Sequence, residues 1–324
     1  MQLNSSVESW VGIDVSLEWV DVAVWAVQQQ WVQWRCGRTA EALAELGQRL
    51  LPYEPRGVVL EATGGLEHCV VAALAGAGLR VMRINPKRVR DFARAQGLLA
   101  KTDVLDARTL ALYGARLQPP WRGGPDAERL QLAAWLGRAR QLTLQRAVER
   151  TRLRHSAAGE LRDSVERVIE FLGAELARVE TQIAAWIAQS EVWKPQEALL
   201  RSAPGVGPKT ARVLLAQMPE LGRVNRREIA ALAGLAPVAA DSGQWRGKRR
   251  IQGGRAVVRA ALYLASWSAV RVPGHLREFY RRLVAAGKPR QVALIAVARK
   301  LLLALNEMLR SGTPWRPAPG PISA

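Results

Sequence analysis

Four carboxylates occupy positions in this sequence that are unusual for an acid. Asp14 interrupts an apolar, β-branched run from Trp10 to Trp25, and Glu61 closes a second apolar run. A carboxylate inside a strand is costly unless a cation pairs with it. Asp103 and Asp106 are three residues apart, so they share one face of a helix's first turn. Together the four acids could hold two Mg²⁺ or Mn²⁺ ions, which prefer carboxylates and phosphate oxygens.

Each acid also has an ordinary structural explanation. Asp14 could lie on a solvated edge strand, and Glu61 could face water at a strand end. Asp103 and Asp106 could simply begin a helix, where the dipole favours negative charge and Thr102 would be a good N-cap. A metal site is favoured because all four acids fall in one predicted α/β layer.

A second reactive side chain, Ser242, begins a strongly basic stretch. From Ser242 to Arg277 the sequence has eight Lys and Arg residues and no acid. Arginine forks suit phosphate oxygens, and the glycines of this stretch let the backbone approach a ligand closely. No His is near in sequence, so a catalytic triad is a poor interpretation. Asp-Ser-Gly is also a common turn that Ser242 would merely stabilise.

The charge of the 324-residue chain, +19 in total, is divided unevenly. Residues 1–125 hold 14 Lys and Arg against 12 Asp and Glu, whereas residues 126–324 hold 33 against 16. This pattern predicts chemistry in the first part and nucleic-acid contact in the second. A solvated helix face would explain the basic segment at 87–94 equally simply. The candidates for nucleic-acid contact are Lys87, Arg88, Arg90, Lys209, Arg246, Lys248, Arg249, Arg250 and Arg255.

Apolar patterns predict the elements that would position the acids. Residues 10–25 are expected to form two strands joined by a turn at Ser16 to Glu18. Further strands are expected at 31–37, 57–61 and 79–84, and helices at about 41–51 and 66–77. This alternation indicates an α/β layer with a partly parallel sheet. Open α/β sheets place functional side chains at strand ends of the kind that Glu61 occupies.

The second half of the sequence is predicted to be mainly helical. Two long helices flanking Gly159 form a hairpin whose apolar stripe suits either a coiled-coil partner or the protein's own core. Lys194-Pro195 is expected to end these helices. Residues 199–218 resemble a helix–hairpin–helix, which would hold a DNA phosphate at its Gly turn, although such glycines can also serve only a positive φ. Further helices are expected at 257–269, 275–284 and 290–309.

Composition excludes several classes of protein. Two cysteines are too few for a disulfide framework or a cysteine zinc site, and the three histidines lack metal-ligand spacing. No run of eighteen apolar residues occurs, so we expect a soluble, cytoplasmic protein with no membrane contact. The predicted domains are 1–122, catalytic; 123–195, a helical linker; 196–312, basic; and 313–324, a Pro-rich tail.

The order of the acids resembles a known catalytic set. Asp14 in GIDVS, Glu61 in LEATG, and Asp103 with Asp106 in KTDVLDA match the DEDD set of transposases with a RuvC-like, RNase H-type domain. The resemblance is to the Piv invertase and IS110 insertion-sequence family, whose recent members are called bridge-RNA-guided recombinases. It covers Gly12 to about Arg310. It implies an α/β RNase H-like domain that binds Mg²⁺ or Mn²⁺, a coiled-coil linker and a mainly α C-terminal domain with a helix–hairpin–helix-like segment.

The same resemblance implies that Ser242 attacks the DNA phosphorus, stabilised by the surrounding arginines. It also implies a structured guide RNA and a homo-oligomer, a dimer of dimers. The expected function is therefore that of a DNA recombinase of a mobile element. One alternative is a metal-dependent nuclease or Holliday-junction resolvase that uses water, with Ser242 structural. Another is a non-catalytic nucleic-acid-binding protein, although such a protein would gain nothing from four acids facing a polyanion.

Overall fold

The computed structural model describes residues 9–25, 31–62, 65–98, 103–121, 127–238, 241–242, 245–246 and 249–316. The chain divides into two compact units, Met1–Leu130 and Gln131–Ala324. The finer boundaries of the four predicted domains stay predictions. The predicted N-cap Thr102, the basic candidate Lys248 and most of the Pro-rich tail lie outside the described residues.

The first unit is built on a mixed five-stranded sheet. Its strands are β1 (Trp10–Val15), β2 (Trp19–Trp25), β3 (Trp31–Gly37), β4 (Gly57–Glu61) and β5 (Val81–Ile84). They lie in the order β3-β2-β1-β4-β5. The first three strands form an antiparallel meander, and β4 and β5 add in parallel beside β1. This is an RNase H-like arrangement, and it confirms the predicted partly parallel sheet.

Helices cover both faces of this sheet. They are α1 (Ala40–Leu50), α2 (Glu67–Gly76), α3 (Pro86–Ala95) and α4 (Asp103–Leu117). Alternate side chains of a strand point to opposite faces, so β1, β4 and β5 each contribute to two cores. Ile13 packs in one core with α1 and α2. Trp10 packs in the other with residues of α3 and α4 such as Val89 and Leu110.

The second unit is mainly helical. Its helices, the first of which begins just before the unit boundary, are α5 (Ala127–His155), α6 (Glu160–Gln189), α7 (Trp193–Arg201), α8 (Pro208–Gln217), α9 (Arg226–Leu232), α10 (Ala256–Ala269), α11 (His275–Ala285) and α12 (Arg290–Ser311). Leu301, Leu302 and Leu305 of α12 are fully buried in one continuous core. In the described part of the chain, no helix has the length and apolarity that crossing a membrane requires.

The predicted helix end at Lys194-Pro195 is wrong. Helix α6 already stops at Gln189, and Pro195 lies in the first turn of α7. Proline is tolerated there because the first backbone N–H groups of a helix have no intrahelical partner. The chain therefore breaks before this proline.

The apolar stripe of α6 divides into two parts. Toward its C-terminus, Leu172, Leu176, Val179, Ile183 and Ile187 are buried in the core of the second unit. Toward its N-terminus, apolar side chains are exposed, with Phe171 the most open at 67%. The exposed apolar side chains of this part of the hairpin are Leu144, Val148, Leu161, Val168 and Phe171. Only half of the stripe thus packs on its own protein, and the coiled coil stays a prediction.

Candidate active site

Asp14 and Glu61 lie beside each other where two parallel strands end. The register of β1 and β4 pairs Ile13 with Leu60, so Asp14 and Glu61 follow as the next neighbours. The same register pairs Gly12 with Val59, a member of the core that includes α4. Because side chains alternate, Asp14 and Glu61 point to the α4 face of the sheet. Both acids are half-buried.

Glycine lets α4 lie directly on β1. A methyl group added at Gly12 would overlap with the carbonyl oxygen of Ala107 and the amide nitrogen of Ala111, and would lie 2.9 Å from Leu110 Cβ. A methyl group added at Gly114 would overlap with the ring of Trp10. The helix therefore crosses the strand with almost no side chain between the two backbones.

These contacts also give the direction of α4. Gly114 lies against Trp10, and the turn from Ala107 to Ala111 lies against Gly12, so the helix runs opposite to β1. Two strand residues advance about 6.6 Å and one helix turn about 5.4 Å, so the next turn toward the helix start lies against residue 14. That turn begins with Asp103. The fold therefore directs the start of α4 toward Asp14 and Glu61.

The structure describes the side chain of one of the two α4 acids, Asp106, but not that of the other, Asp103. Asp106 is half-buried. Asp103 is the first residue of α4, and its side chain lies outside the described residues. The described side chains do not include that of Asp103. Among them, no three Asp, Glu, His or Cys groups are close enough to share a metal ion. The set of four suits a hard divalent cation in its chemistry, because all its donors are carboxylate oxygens.

Sequence reasoning overlooked a fifth acid, Asp21. It pairs with Asp14 across the β1–β2 hairpin and shares its face of the sheet. Asp21 is buried, and Arg35 of β3 donates two hydrogen bonds to it, from Nε at 3.0 Å and from Nη2 at 2.9 Å. Like charges directly opposite in a sheet repel, and Arg35 offsets that repulsion. The sequence did contain a signal for this acid, because the predicted turn at Ser16 to Glu18 makes Asp21 the cross-strand partner of Asp14.

A buried acid holds the backbone of Gly65, four residues beyond Glu61. Glu67 accepts a hydrogen bond of 2.8 Å from the amide of Gly65, and Arg83 and His68 each lie 3.7 Å from its carboxylate. Burial lowers the pKa of His68, and the charge of Glu67 opposes that shift. This network restrains Gly65 and the first turn of α2.

The basic candidates of the first unit lie on the surface of α3. Lys87, Arg88 and Arg90 are exposed. Lys87 pairs with exposed Asp91 at 3.4 Å, and Arg90 Nε donates to the carbonyl of Pro86. Exposed ion pairs of this kind contribute little to stability. These side chains can therefore exchange their partners for phosphate oxygens at small cost.

Ser242 lies in a pair of short antiparallel ladders that the sequence analysis did not predict. Strands β6 (Pro237–Val238) and β9 (Arg250–Ile251) form the outer ladder, and β7 (Asp241–Ser242) and β8 (Trp245–Arg246) form the inner one. Ser242 pairs with Trp245, so two residues separate it from its partner at the tip. The side chains of β7 and β8 lie outside the described residues. Arg249 and Arg250 are exposed.

The base of these ladders is tightly joined to the helices. Gly234 and Gly254 have φ of 70° and 62°. A methyl group at Gly254 would overlap with the backbone of Gly234, and one at Gly234 would overlap with the carbonyl oxygen of Gly253 and with Nη1 of Arg259. Arg259 Nη1 donates to the carbonyl of Gly253 at 2.7 Å. Close contacts therefore fix Gly234 and Gly254, which flank the ladders that include Ser242.

Arg255, predicted to contact nucleic acid, has a structural partner. Its two terminal nitrogens donate to the carboxylate of Glu220, each at 2.7 Å. Glu220 is buried, whereas about a third of the Arg255 side chain is exposed. Its backbone N–H also bonds the carbonyl of Leu232. Nucleic-acid contact by Arg255 stays a prediction, and the ion pair gives it a second role.

The glycine turn between α7 and α8 packs inside its own unit. Gly205 has a φ of 78°, and a side chain there would overlap with the backbone of Ala265 and Ala269 on α10. Lys209, in the first turn of α8, pairs with Glu180 at 2.7 Å and remains largely exposed. Packing thus accounts for Gly205, and phosphate binding by this turn stays a prediction.

Two family models match the chain. A DEDD transposase model of IS110 elements, described as a transposase, matches residues 11–158. A model described as "Transposase IS116/IS110/IS902 family" matches residues 197–281. The first match runs from β1 to just past the end of α5, and the second runs from within α7 to within α11. The two candidate site regions therefore fall within separate models.

Known proteins are similar over part or most of the chain. The pilin gene-inverting protein of Moraxella lacunata is 28% identical over 264 residues, which cover 80% of this chain and 81% of that protein. An uncharacterized 43.6 kDa protein of insertion element IS110 from Streptomyces coelicolor is 32% identical over 155 residues, 46% of this chain and 38% of that one. RuvC of Thermus thermophilus, solved with a Holliday junction substrate, covers 34% of this chain and 96% of its own at 19% identity, with a TM-score of 0.27.

Proposed function

The chain belongs to the IS116/IS110/IS902 family of transposases, and from that premise we propose that it cuts and rejoins DNA with four carboxylates and a serine. The carboxylates are Asp14, Glu61, Asp103 and Asp106, and the serine is Ser242. One observation carries the first part of the proposal. Asp14 and Glu61 are neighbours on the sheet face that α4 covers, and α4 begins with the other two acids.

The four carboxylates would hold Mg²⁺ or Mn²⁺, the cations that DEDD and RuvC-like nucleases generally use. When bound, such an ion supplies polarisation of the phosphate and a lower pKa for an attacking hydroxyl. The chain's own contribution is to bring acids from two strands and one helix to one place. Close contact between α4 and Gly12 supports that arrangement, because it leaves the helix start little freedom.

Ser242 is the proposed nucleophile. Its oxygen forms a bond to the DNA phosphorus while the phosphorus–oxygen bond of the backbone breaks, and the serine proton ends on the departing DNA oxygen. A hydroxyl of the second DNA end then displaces the serine, so that rejoining needs no ATP. The basic segment around Ser242 supports this role, because guanidinium groups stabilise both a phosphate and a developing alkoxide.

DNA is the substrate, and we propose a structured guide RNA and a second copy of the chain as further partners. The exposed basic side chains of α3 and of the segment after Ser242 suit a polyanion. The exposed apolar side chains of α5 and α6, Phe171 foremost, suit pairing between copies. A co-purifying transcript whose loops match two DNA sites would identify the guide.

The decisive experiment is a denaturing gel of labelled DNA that spans the junction of the element and its flank. Wild-type protein with Mg²⁺ and its co-purified RNA should give cleaved DNA that migrates with protein. Asp14→Asn should abolish cleavage but keep or tighten DNA binding, because one negative charge is lost. Ser242→Ala should abolish both cleavage and the adduct with little change in affinity.

The same gel separates the alternatives. Cleaved DNA that never migrates with protein, and that persists with Ser242→Ala, would establish a water-using nuclease in which Ser242 is structural. DNA binding with no metal-dependent cleavage by wild type would establish a non-catalytic binding protein.

A further inference from the structure

A cleft beside the acids has no role in the function proposed so far. It holds about 290 Å³ and lies where α4 meets the edge of the sheet formed by β2 and β3. Asp21, Gln33 and Arg35 give it polar walls, and Ala107 of α4 closes it on one side. Its volume is at the lower end for small-ligand sites, about 300 Å³, so it suits a single base rather than a base pair.

The cleft lies in register with the catalytic acids. Asp14 pairs with Asp21, and Asp21 pairs with Arg35, so the three residues form one row across β1, β2 and β3. Neighbouring strands are about 4.8 Å apart, which puts the Arg35 backbone roughly 10 Å from that of Asp14. This is the distance scale of one or two nucleotides along a DNA strand.

Arg35 is fixed and yet open to solvent. Its two hydrogen bonds to buried Asp21 hold the guanidinium in one orientation, and 48% of its side chain is exposed. Arg35 in turn offsets the negative charge of Asp21, which would otherwise repel a phosphate. A guanidinium held by a carboxylate loses little further freedom when it binds a phosphate, which favours recognition.

Arg108 continues the same surface from α4. Its Nε donates a hydrogen bond of 2.8 Å to Gln33, and its guanidinium carbon lies 5.2 Å from the centre of the Trp31 ring. Trp31 in turn packs on Trp25 with ring centres 4.7 Å apart. Guanidinium, amide and aromatic groups side by side are the chemistry that recognises unpaired nucleotides.

We propose that this cleft binds an unpaired nucleotide of the cleaved DNA strand, one or two positions from the scissile phosphate. The phosphate lies against Arg35 and Arg108, and the base enters the cleft against Gln33. This inference rests on the proposed function, because it takes the acids to mark the position of the cut. It adds that the strand is unpaired beside that position and is held by the first unit.

The test combines changes in the protein and in the DNA. Arg108→Gln should slow single-turnover cleavage about 10- to 100-fold, the usual range for a lost charged hydrogen bond. Arg116→Gln, which removes the same charge from the exposed end of the same helix, should leave the rate unchanged. Methylphosphonates, which are neutral, replace single phosphates of the labelled strand in turn. In wild type, one position within two nucleotides of the cut should show a similar loss.

At that position, the loss of rate from Arg108→Gln and the loss from the methylphosphonate should not add, since each change removes the same contact. Additive losses at every phosphate, an equal loss with Arg116→Gln, or no sensitive phosphate in wild type would each overturn the proposal. The substrate scan needs no variant, so misfolding of Arg108→Gln does not affect it. Throughout, cleavage of unmodified DNA by wild type shows that the proposed function stands even where this inference fails.

Discussion

Replacing Gly12 by Ala should displace the helix that carries two of the acids. The added methyl group would overlap with backbone atoms of Ala107 and Ala111, which cannot rotate away as side chains can. Cβ atoms are essentially never found closer than 3.0 Å to other heavy atoms, so α4 must retreat by roughly 1 Å or more. Overpacking of this kind costs about 1–3 kcal/mol of unfolding free energy.

The effect on cleavage should exceed the effect on stability. A misplacement of about 1 Å in a catalytic constellation can cost about 100-fold in rate, because reacting groups leave their productive geometry. Asp103 and Asp106 move with α4, whereas Asp14 and Glu61 stay in the sheet. Thermal unfolding and single-turnover cleavage at a temperature where the variant is fully folded measure the two effects separately.

Two further glycines provide matched controls. Gly76→Ala, in α2, meets no heavy atom within 4 Å and should leave both stability and rate near wild type. Gly114→Ala overlaps with the Trp10 ring at the end of α4 far from the acids, so it should lower stability with a smaller loss of rate. A folded Gly12→Ala variant that cleaves as fast as wild type would refute the inference that this contact positions the acids.

Three other predictions test the second unit. Arg255→Gln should lower the unfolding free energy by about 2–3 kcal/mol, because buried Glu220 loses its ion pair with Arg255, and adding Glu220→Gln should restore part of the loss in chemical denaturation; unchanged stability would contradict the structural role. Phe171→Ser should weaken self-association in light scattering without lowering the melting temperature, since the ring is exposed; an unchanged oligomer would exclude this surface. Burial lowers the pKa of His275, so the unfolded chain binds its proton at higher pH than the folded one, and stability should fall as pH drops through about 6.5. His275→Gln should flatten that dependence in melting curves from pH 5 to 8, and His155→Gln should not; an equally steep curve for His275→Gln would refute the assignment.

Local patterns were sufficient for the sheet and for most helices. The alternation in Trp10–Val15 and the apolar run Gly57–Glu61 predict strands that the structure confirms, because each strand buries one or both faces. Thr102 as an N-cap, with Asp103 and Asp106 in the turn after it, also predicted where α4 begins. Such features depend on residues near in sequence, and a single chain carries enough information to find them.

Features that depend on strand pairing or on contacts distant in sequence were missed. Asp21 looked like an ordinary polar position, and only strand pairing puts it beside Asp14. The ladder that carries Ser242 consists of two-residue strands, which are too short to show any periodicity. Nothing in the sequence distinguishes Arg255 from the other arginines of its segment, and only the fold places Glu220 beside it. The partner of Arg255 lies 35 residues away and could not be inferred from nearby residues, whereas the pairing of Asp21 was available from the hairpin predicted around Ser16 to Glu18.

The contact between α4 and β1 has a consequence for the synthesis of this protein. Asp14 leaves the ribosome early, yet the acids that complete its set follow some ninety residues later on the helix that covers Gly12. At about 5–20 residues per second, several seconds of translation separate the two. A nascent or prematurely ended chain that stops before α4 carries only half of the carboxylates. On the proposed function, such an unfinished chain lacks two of the four acids of the proposed metal centre and should be unable to cut the DNA of its host.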